Sequence, residues 1–230
     1  MKIKINPKLT KYLLPMHPTV FITTVSKKKE HNAAAYAACI DFSYDPPMVL
    51  FASNKVQHQP INTQAVDKNR KQDTYLNIME TKMFIINVPG MNLIKKLQII
   101  GYPFPRGIDE IKRAGLTKYK PFVLFKKNIY PCLIKECLAH LECKLIKIIN
   151  IKKADHFLII GEVVGASYDS SLGKNLDKIR KNLTQKVFGN LHAISKNKRL
   201  IGQIKQIRKT APVYTSDKFF NKQKKRIDLN

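Results

Sequence analysis

Residues 31–55 read HNAAAYAACIDFSYDPPMVLFASNK, and the structure adopted by this stretch decides what the chain is. It opens on small side chains, Ala33, Ala34, Ala35, Ala37 and Ala38, turns through a stiff Asp45-Pro46-Pro47 corner, and closes on the apolar run Met48 to Ala52. Alanine has the highest helix propensity, so one reading is a helix followed by a turn. The other is a strand whose side chains are small because something large and flat lies against its backbone. Composition alone leaves both open.

The surrounding sequence is richer in strand signals than in helix signals. Pro18 to Val25 (PTVFITTV) is β-branched and aromatic and predicts a buried strand, with a charged turn over Ser26 to Glu30. Lys82 to Pro89 and His156 to Ala166 read the same way, the latter with Gly161 and Gly165 as sites for a bulge or a close backbone approach. Ile129 to Ile151 carries strand material with a break near Lys135 to Ala139. Helices are predicted behind Asp73 as N-cap, with Leu76, Ile78 and Met79 facing inward, over Met91 to Ile100 with a stop at Gly101, and over Ile108 to Ala114. A basic helix over Asn175 to Val187 and a strand over Arg199 to Ile207 follow. Ser53 to Gln72 is a long polar connection of the kind that often carries function. Strands early, helices between and strands again late predict a mainly β fold, an antiparallel barrel with inserted helices; regular strand–helix alternation and any G-x-G-x-x-G or Walker sequence are absent. The expected organisation is one domain over residues 1–215 and a mobile basic tail over residues 216–230.

The chain of 230 residues carries a net charge of +26, and its basic residues thicken toward the end, with sixteen Lys or Arg against three acidic residues from Ser171 onward. Such a field attracts phosphate-rich ligands and acidic protein surfaces. No helix-turn-helix, zinc-finger or aromatic-rich single-strand-binding pattern accompanies it, so nucleic acid is not an expected partner. Cys39, Cys132, Cys137 and Cys143 lack the paired spacing of a zinc site and are expected to be buried free thiols. No apolar run approaches the ~20 residues of a membrane span, and the N-terminal segment is too polar for a signal peptide. A cytoplasmic location is the expectation.

Three motifs in order carry a family resemblance. Ile22-Thr23-Thr24-Val25, Asn32-Ala33-Ala34 and Ser43 to Leu50 form the first. Asp73-Thr74, Asn77-Ile78, Thr81 and Phe84 to Asn87 form the second. Glu142-Cys143-Lys144 with His156 and Ile160 to Val164 forms the third. Together, over about Tyr12 to Asp169, they resemble the flavin reductase-like, flavoredoxin-type proteins. The resemblance implies a split β-barrel of Greek-key type that binds FMN, usually as a homodimer with the flavin near the interface, and it favours the strand reading of residues 31–55. It implies an oxidoreductase that takes a hydride from NAD(P)H and passes electrons to a redox partner protein or another acceptor. The alternative is an FMN-holding electron-transfer protein without NAD(P)H activity of its own, and a nucleic-acid-binding protein on the same scaffold stands behind both.

By position in the motifs, Asn32, Ala33, Ala34 and Ala35 are the expected contacts of the flavin ring and ribityl chain, with Cys39 close by in sequence. Ser53, Asn54 and Lys55 are expected at the ribityl chain and phosphate. Asp73 and Thr74 open a helix whose free N–H groups suit a phosphate, with Lys71 or Arg70 as counter-charge. Val56 to Arg70 is longer than the family's usual connection, and the family's C-terminal histidine and tyrosine elements are not evident beyond Asp169, so no residue is assigned to the nicotinamide.

Overall fold

The computed structural model describes residues 18–56, 70–124, 128–173 and 176–187. Among these, seven strands form one antiparallel sheet: β1 (Val20–Val25), β2 (His31–Tyr36), β3 (Cys39–Tyr44), β4 (Pro47–Asn54), β5 (Met83–Val88), β8 (Ala139–Asn150) and β9 (His156–Tyr168). Their order is β2-β1-β5-β8-β9-β4-β3. A second, two-stranded sheet pairs β6 (Lys118–Tyr119) with β7 (Leu133–Ile134). The helices are α1 (Asp73–Thr81), α2 (Ile94–Ile100), α3 (Glu110–Arg113) and α4 (Leu176–Lys186).

The strand order dictates a closed shape. β2 and β3 are the two edges of the sheet, yet only Ala37 and Ala38 separate Tyr36 from Cys39. Seven flat strands would hold those edges roughly 29 Å apart at ~4.8 Å per strand. Three residue steps span at most about 11 Å. The sheet therefore curls until its edges meet at Ala37-Ala38, where the Ala52 N–H donates to the Ala38 carbonyl (3.0 Å). The result is a barrel that is joined by the chain at this seam rather than by a continuous ladder.

Alternation along each strand fills two main cores, with a smaller cluster of Met83, Ile85, Leu124 and Leu133 beside them. Ile22, Tyr36, Phe51, Phe84, Cys143 and Ile159 belong to the barrel interior. Tyr36, Phe51 and Phe84 make edge-to-face contacts at 5.0 and 5.3 Å. Gly161 lets Phe84 into this core, since a Cβ there would sit 2.4 Å from Phe84 Cζ. Gly165 does the same for Val123 on the outer side, and the β8–β9 register shifts beside both glycines, as their sequence context predicts. Phe21, Ala33, Leu97, Ile100, Ile111 and Ala114 form the second core, where α2 and α3 cover the outside of β1 and β2.

The alanine-rich stretch is a strand. Val20 to Val25, buried at every residue, pairs with His31 to Tyr36 over six positions, and that pairing outweighs a propensity preference of some tenths of a kcal/mol per residue. Its small side chains also serve packing: Ala33 is only 1 % exposed under α2 and α3. The strand reading of residues 31–55 placed the only turn at Asp45-Pro46-Pro47, whereas the chain also breaks at Ala37-Ala38 and sends β3 to the far edge.

Two details of α1 differ from expectation. Gln72, not Asp73, is the N-cap, because the Asp73 carboxylate is drawn to two guanidinium groups instead of to the helix N–H groups. Met79 faces outward, and Thr74, Asn77 and Ile78 take the buried face. The helix expected over Ile108 to Ala114 is a single turn, α3, and the expected strand over Arg199 to Ile207 and the basic tail lie outside the described residues. All four cysteines are buried and free, and burial pushes each thiol upward, Cys39 and Cys132 to about 12. Among the described residues no helix is long and apolar enough to cross a membrane.

Candidate functional site

A cleft opens along the free edge of β2. Its walls are Asn32 to Tyr36, Asn54 at the end of β4, Gln72 to Thr74 at the start of α1, the segment Ile100 to Phe104 after α2, and Glu110 on α3. An edge strand points alternate N–H and C=O groups away from its neighbour. The Ala33 N–H takes this direction and donates to Glu110 Oε2 at 3.0 Å. By the same alternation the backbone groups of Ala35 face the cleft side.

A buried amide–hydroxyl chain fixes the floor. Asn32 Nδ2 donates to Thr74 Oγ1 (3.1 Å) and to Thr24 Oγ1 (3.4 Å), and Asn77 Nδ2 donates to the same Thr24 oxygen (3.1 Å). These bonds tie β1, β2 and α1 together, so Thr74 is held at the first turn of a nine-residue helix. Beside it, Tyr36 Oη and Ser53 Oγ both donate to Gln72 Oε1, at 2.9 and 2.8 Å. Burial pushes the Tyr36 phenol up to about 12.

Cations gather where α1 begins. Arg70 clamps both oxygens of Asp73 at 2.8 and 2.9 Å. Arg106 reaches Asp73 at 3.3 Å and also Asn77 and Glu80, each at 3.2 Å. Glu110 stands apart from this group. It is 4 % exposed, among the described residues no ion pair reaches it, and burial lifts its carboxyl to about 7, with Asp73 and Asp109 adding to the rise.

Asn32, Ala33, Ala34, Ala35, Asn54, Asp73 and Thr74 come together on the cleft. Ser53 stands one hydrogen bond behind it, through Gln72. The other expected residues lie elsewhere. Cys39 points into the barrel core, Lys55 donates to the Ile151 carbonyl at 2.7 Å, and Lys71 sits 5.1 Å over the Tyr75 ring. Sequence reasoning missed Tyr36, Gln72, Arg106, Glu110 and the Gly101 to Phe104 segment. Only Tyr36 carried a usable signal, as the same-face neighbour of Ala34 and Asn32, two and four residues away. Gln72, Glu110 and the Gly101 to Phe104 segment reach the cleft through tertiary packing, and Arg106 meets it only through Asp73.

The lining suits a flavin. A strand edge offers backbone donors and acceptors to the polar rim of a planar ring, small side chains at Ala33 to Ala35 admit the ring to that edge, and a helix start flanked by arginines suits a phosphate. Among the described residues no group of three or more His, Cys, Asp or Glu is placed to hold a metal ion.

Barrel, seam and cleft together define the class, a split-barrel protein with a candidate cleft along the free edge of β2. Comparison with known proteins gives the family. The flavin reductase like domain matches residues 15–184, and the chain belongs to the flavin reductase-like family. A protein of unassigned function from Aquifex aeolicus is 28 % identical over 179 residues, which are 75 % of this chain and 82 % of that one. The crystal structure of flavoredoxin from Methanosarcina acetivorans is similar at a TM-score of 0.59 and 20 % identity, covering 86 % of this chain and 97 % of the other. Nitrilotriacetate monooxygenase component B from Bacillus cereus is similar at a TM-score of 0.62 and 21 % identity, covering 76 % and 85 %.

Proposed function

We propose that the chain holds FMN in the β2 cleft and transfers a hydride to it from NADH or NADPH, the reduced flavin then serving a partner protein or another acceptor. FMN supplies the redox chemistry when bound; the protein supplies position, charge and exclusion of water. The observation that carries this reading is the convergence of the β2 edge and the start of α1 on one cleft. In this arrangement the outward backbone groups of Ala35 and the Ala33 carbonyl face the ring, and the small side chains of Ala33 to Ala35 let it approach. Asn32 and Thr74 hold the ribityl end, and Arg70 and Arg106 balance the phosphate charge near the α1 N-terminus. The +26 charge draws anionic cofactor and dinucleotide toward the protein.

The same reading includes self-association. Edge strand β3 exposes Ile40, Phe42 and Tyr44 by 45, 48 and 85 %, an apolar stripe beside the seam that a second copy of the chain would cover. Four free thiols are in keeping with a reducing, cytoplasmic setting.

Anaerobic mixing of the protein, FMN and either nicotinamide nucleotide tests the proposal. Bleaching of the flavin absorbance by NADH or NADPH, dependent on the protein, is expected; no reduction by either nucleotide overturns the hydride-transfer reading. The strong positive charge favours a second reading, an electron carrier that docks on an acidic redox partner. Tight FMN binding without reduction by either nucleotide selects it.

A further inference from the structure

Glu110 is a buried acid on the wall of a cleft that suits an anionic cofactor, and a fold keeps such a group at a cost in desolvation. Across the cleft, Asp73 is balanced by Arg70 and Arg106. Asp109, next to Glu110 in the chain, pairs with Lys118, which also lies in the field of His31 on β2. Lys112 and Arg113 are exposed on α3, and Arg113 stacks over Phe104 at 4.8 Å. Glu110 itself is met by N–H groups, that of Ala33 and its own. The strand edge that would face a flavin ring is thus joined directly to a carboxyl that has no counter-ion.

We propose that Glu110 is a proton-accepting positioning residue: it takes up a proton when negative charge develops on a ring bound against the β2 edge, and so spares the cleft two adjacent buried anions. The inference rests on the flavin reading above and deepens it. Two like charges in a desolvated site cannot both stay ionised cheaply, and the group already poised near neutrality yields first. A protonated Glu110 keeps one oxygen for the Ala33 N–H and gains an O–H that can donate into the cleft. In charge terms, the ring takes two electrons and one proton from an added reductant and solvent, becoming an anion. The Glu110 carboxylate takes a second proton from solvent and becomes neutral.

The test is the midpoint potential of FMN bound to the full chain, measured against reference dyes from pH 6 to 9, in the unaltered protein and in Glu110→Gln. Glutamine retains the shape and the acceptor for Ala33 but does not titrate. Just above neutrality the unaltered protein is expected to show a slope steeper by one proton per two electrons, which is 29.6 mV per pH unit. Parallel slopes in the two proteins overturn the inference. A protein that binds no FMN overturns the flavin reading itself, which separates the two failures. Should the variant not fold, the infrared difference between oxidised and reduced loaded protein decides. A protonated-carboxyl band that grows on reduction above pH 7 supports the role, and no such band overturns it.

Discussion

Replacing Glu110 with glutamine is expected to change how stability depends on pH in the flavin-free protein. Burial lifts the Glu110 carboxyl from an ordinary 4.5 to about 7, so the folded chain holds this proton more tightly than the unfolded chain does. Between those two values the folded state carries more protons, and stability falls as pH rises, levelling off above about 7. At 1.36 kcal/mol per pKa unit, the loss from the acid to the alkaline side is about 3 kcal/mol. Glutamine preserves the hydrogen bond from Ala33 and removes the titration, so the variant escapes this loss. Urea unfolding of both proteins at pH 4, 5, 6, 7 and 8 gives the comparison. Groups remote from Glu110 contribute equally in both, so the difference between the two curves reports Glu110 and its coupling to its neighbours. It should move by up to about 3 kcal/mol in favour of the variant between pH 4 and 8. Two parallel curves would show that the carboxyl is not desolvated as its burial implies, and the reasoning from burial to charge would fail.

Further substitutions probe the architecture and the site. Glu142, buried on β8, accepts the N–H groups of Phe122, Val123 and Leu124 at 2.6, 2.9 and 2.8 Å, so Glu142→Ala should cost about 3 kcal/mol or more and expose that loop to protease; a loss under about 1 kcal/mol in urea unfolding would contradict the tether. Gly161→Ala places a methyl within 2.4 Å of Phe84, with an expected cost of about 1–3 kcal/mol that Phe84→Leu should partly recover in the double variant; additive losses would argue against contact. Asn32→Ala and Thr74→Ala each break the bond that sets α1 against β2, and each should weaken FMN binding about five- to tenfold by fluorescence titration, in line with about 1 kcal/mol per hydrogen bond; unchanged affinity in both would place the flavin elsewhere.

The strands that could be read from the sequence are those whose environment is written into their own residues. Val20–Val25 and Met83–Val88 are almost wholly buried on both faces, so continuous apolar or β-branched runs mark them. Gly161 and Gly165 likewise announce the close approach of Phe84 and Val123. The seam at Ala37-Ala38 was hidden because it follows from strand order around the barrel, a long-range property that no window of ten residues carries. Asp73 shows the limit from another side. Its residue type and position suit an N-cap, but Arg106, more than thirty residues later, folds over it and helps claim the carboxylate. On the cleft, Asn32 to Ala34 and Asp73-Thr74 could be read from the sequence because two family motifs contain them. Glu110 and Gln72 were not, because a glutamate in a short charged segment and a glutamine before a helix look like ordinary surface until the fold buries one and turns the other toward Tyr36.

Equilibrium binding tests most directly whether the cleft beside β2 holds a flavin. FMN is titrated into the purified full chain at low ionic strength with its fluorescence followed, and the mixture is then passed through gel filtration. Saturable quenching at one FMN per chain is expected, weakened in Asn32→Ala and Thr74→Ala. Fluorescence that does not change with protein, together with a colourless protein peak, would contradict it.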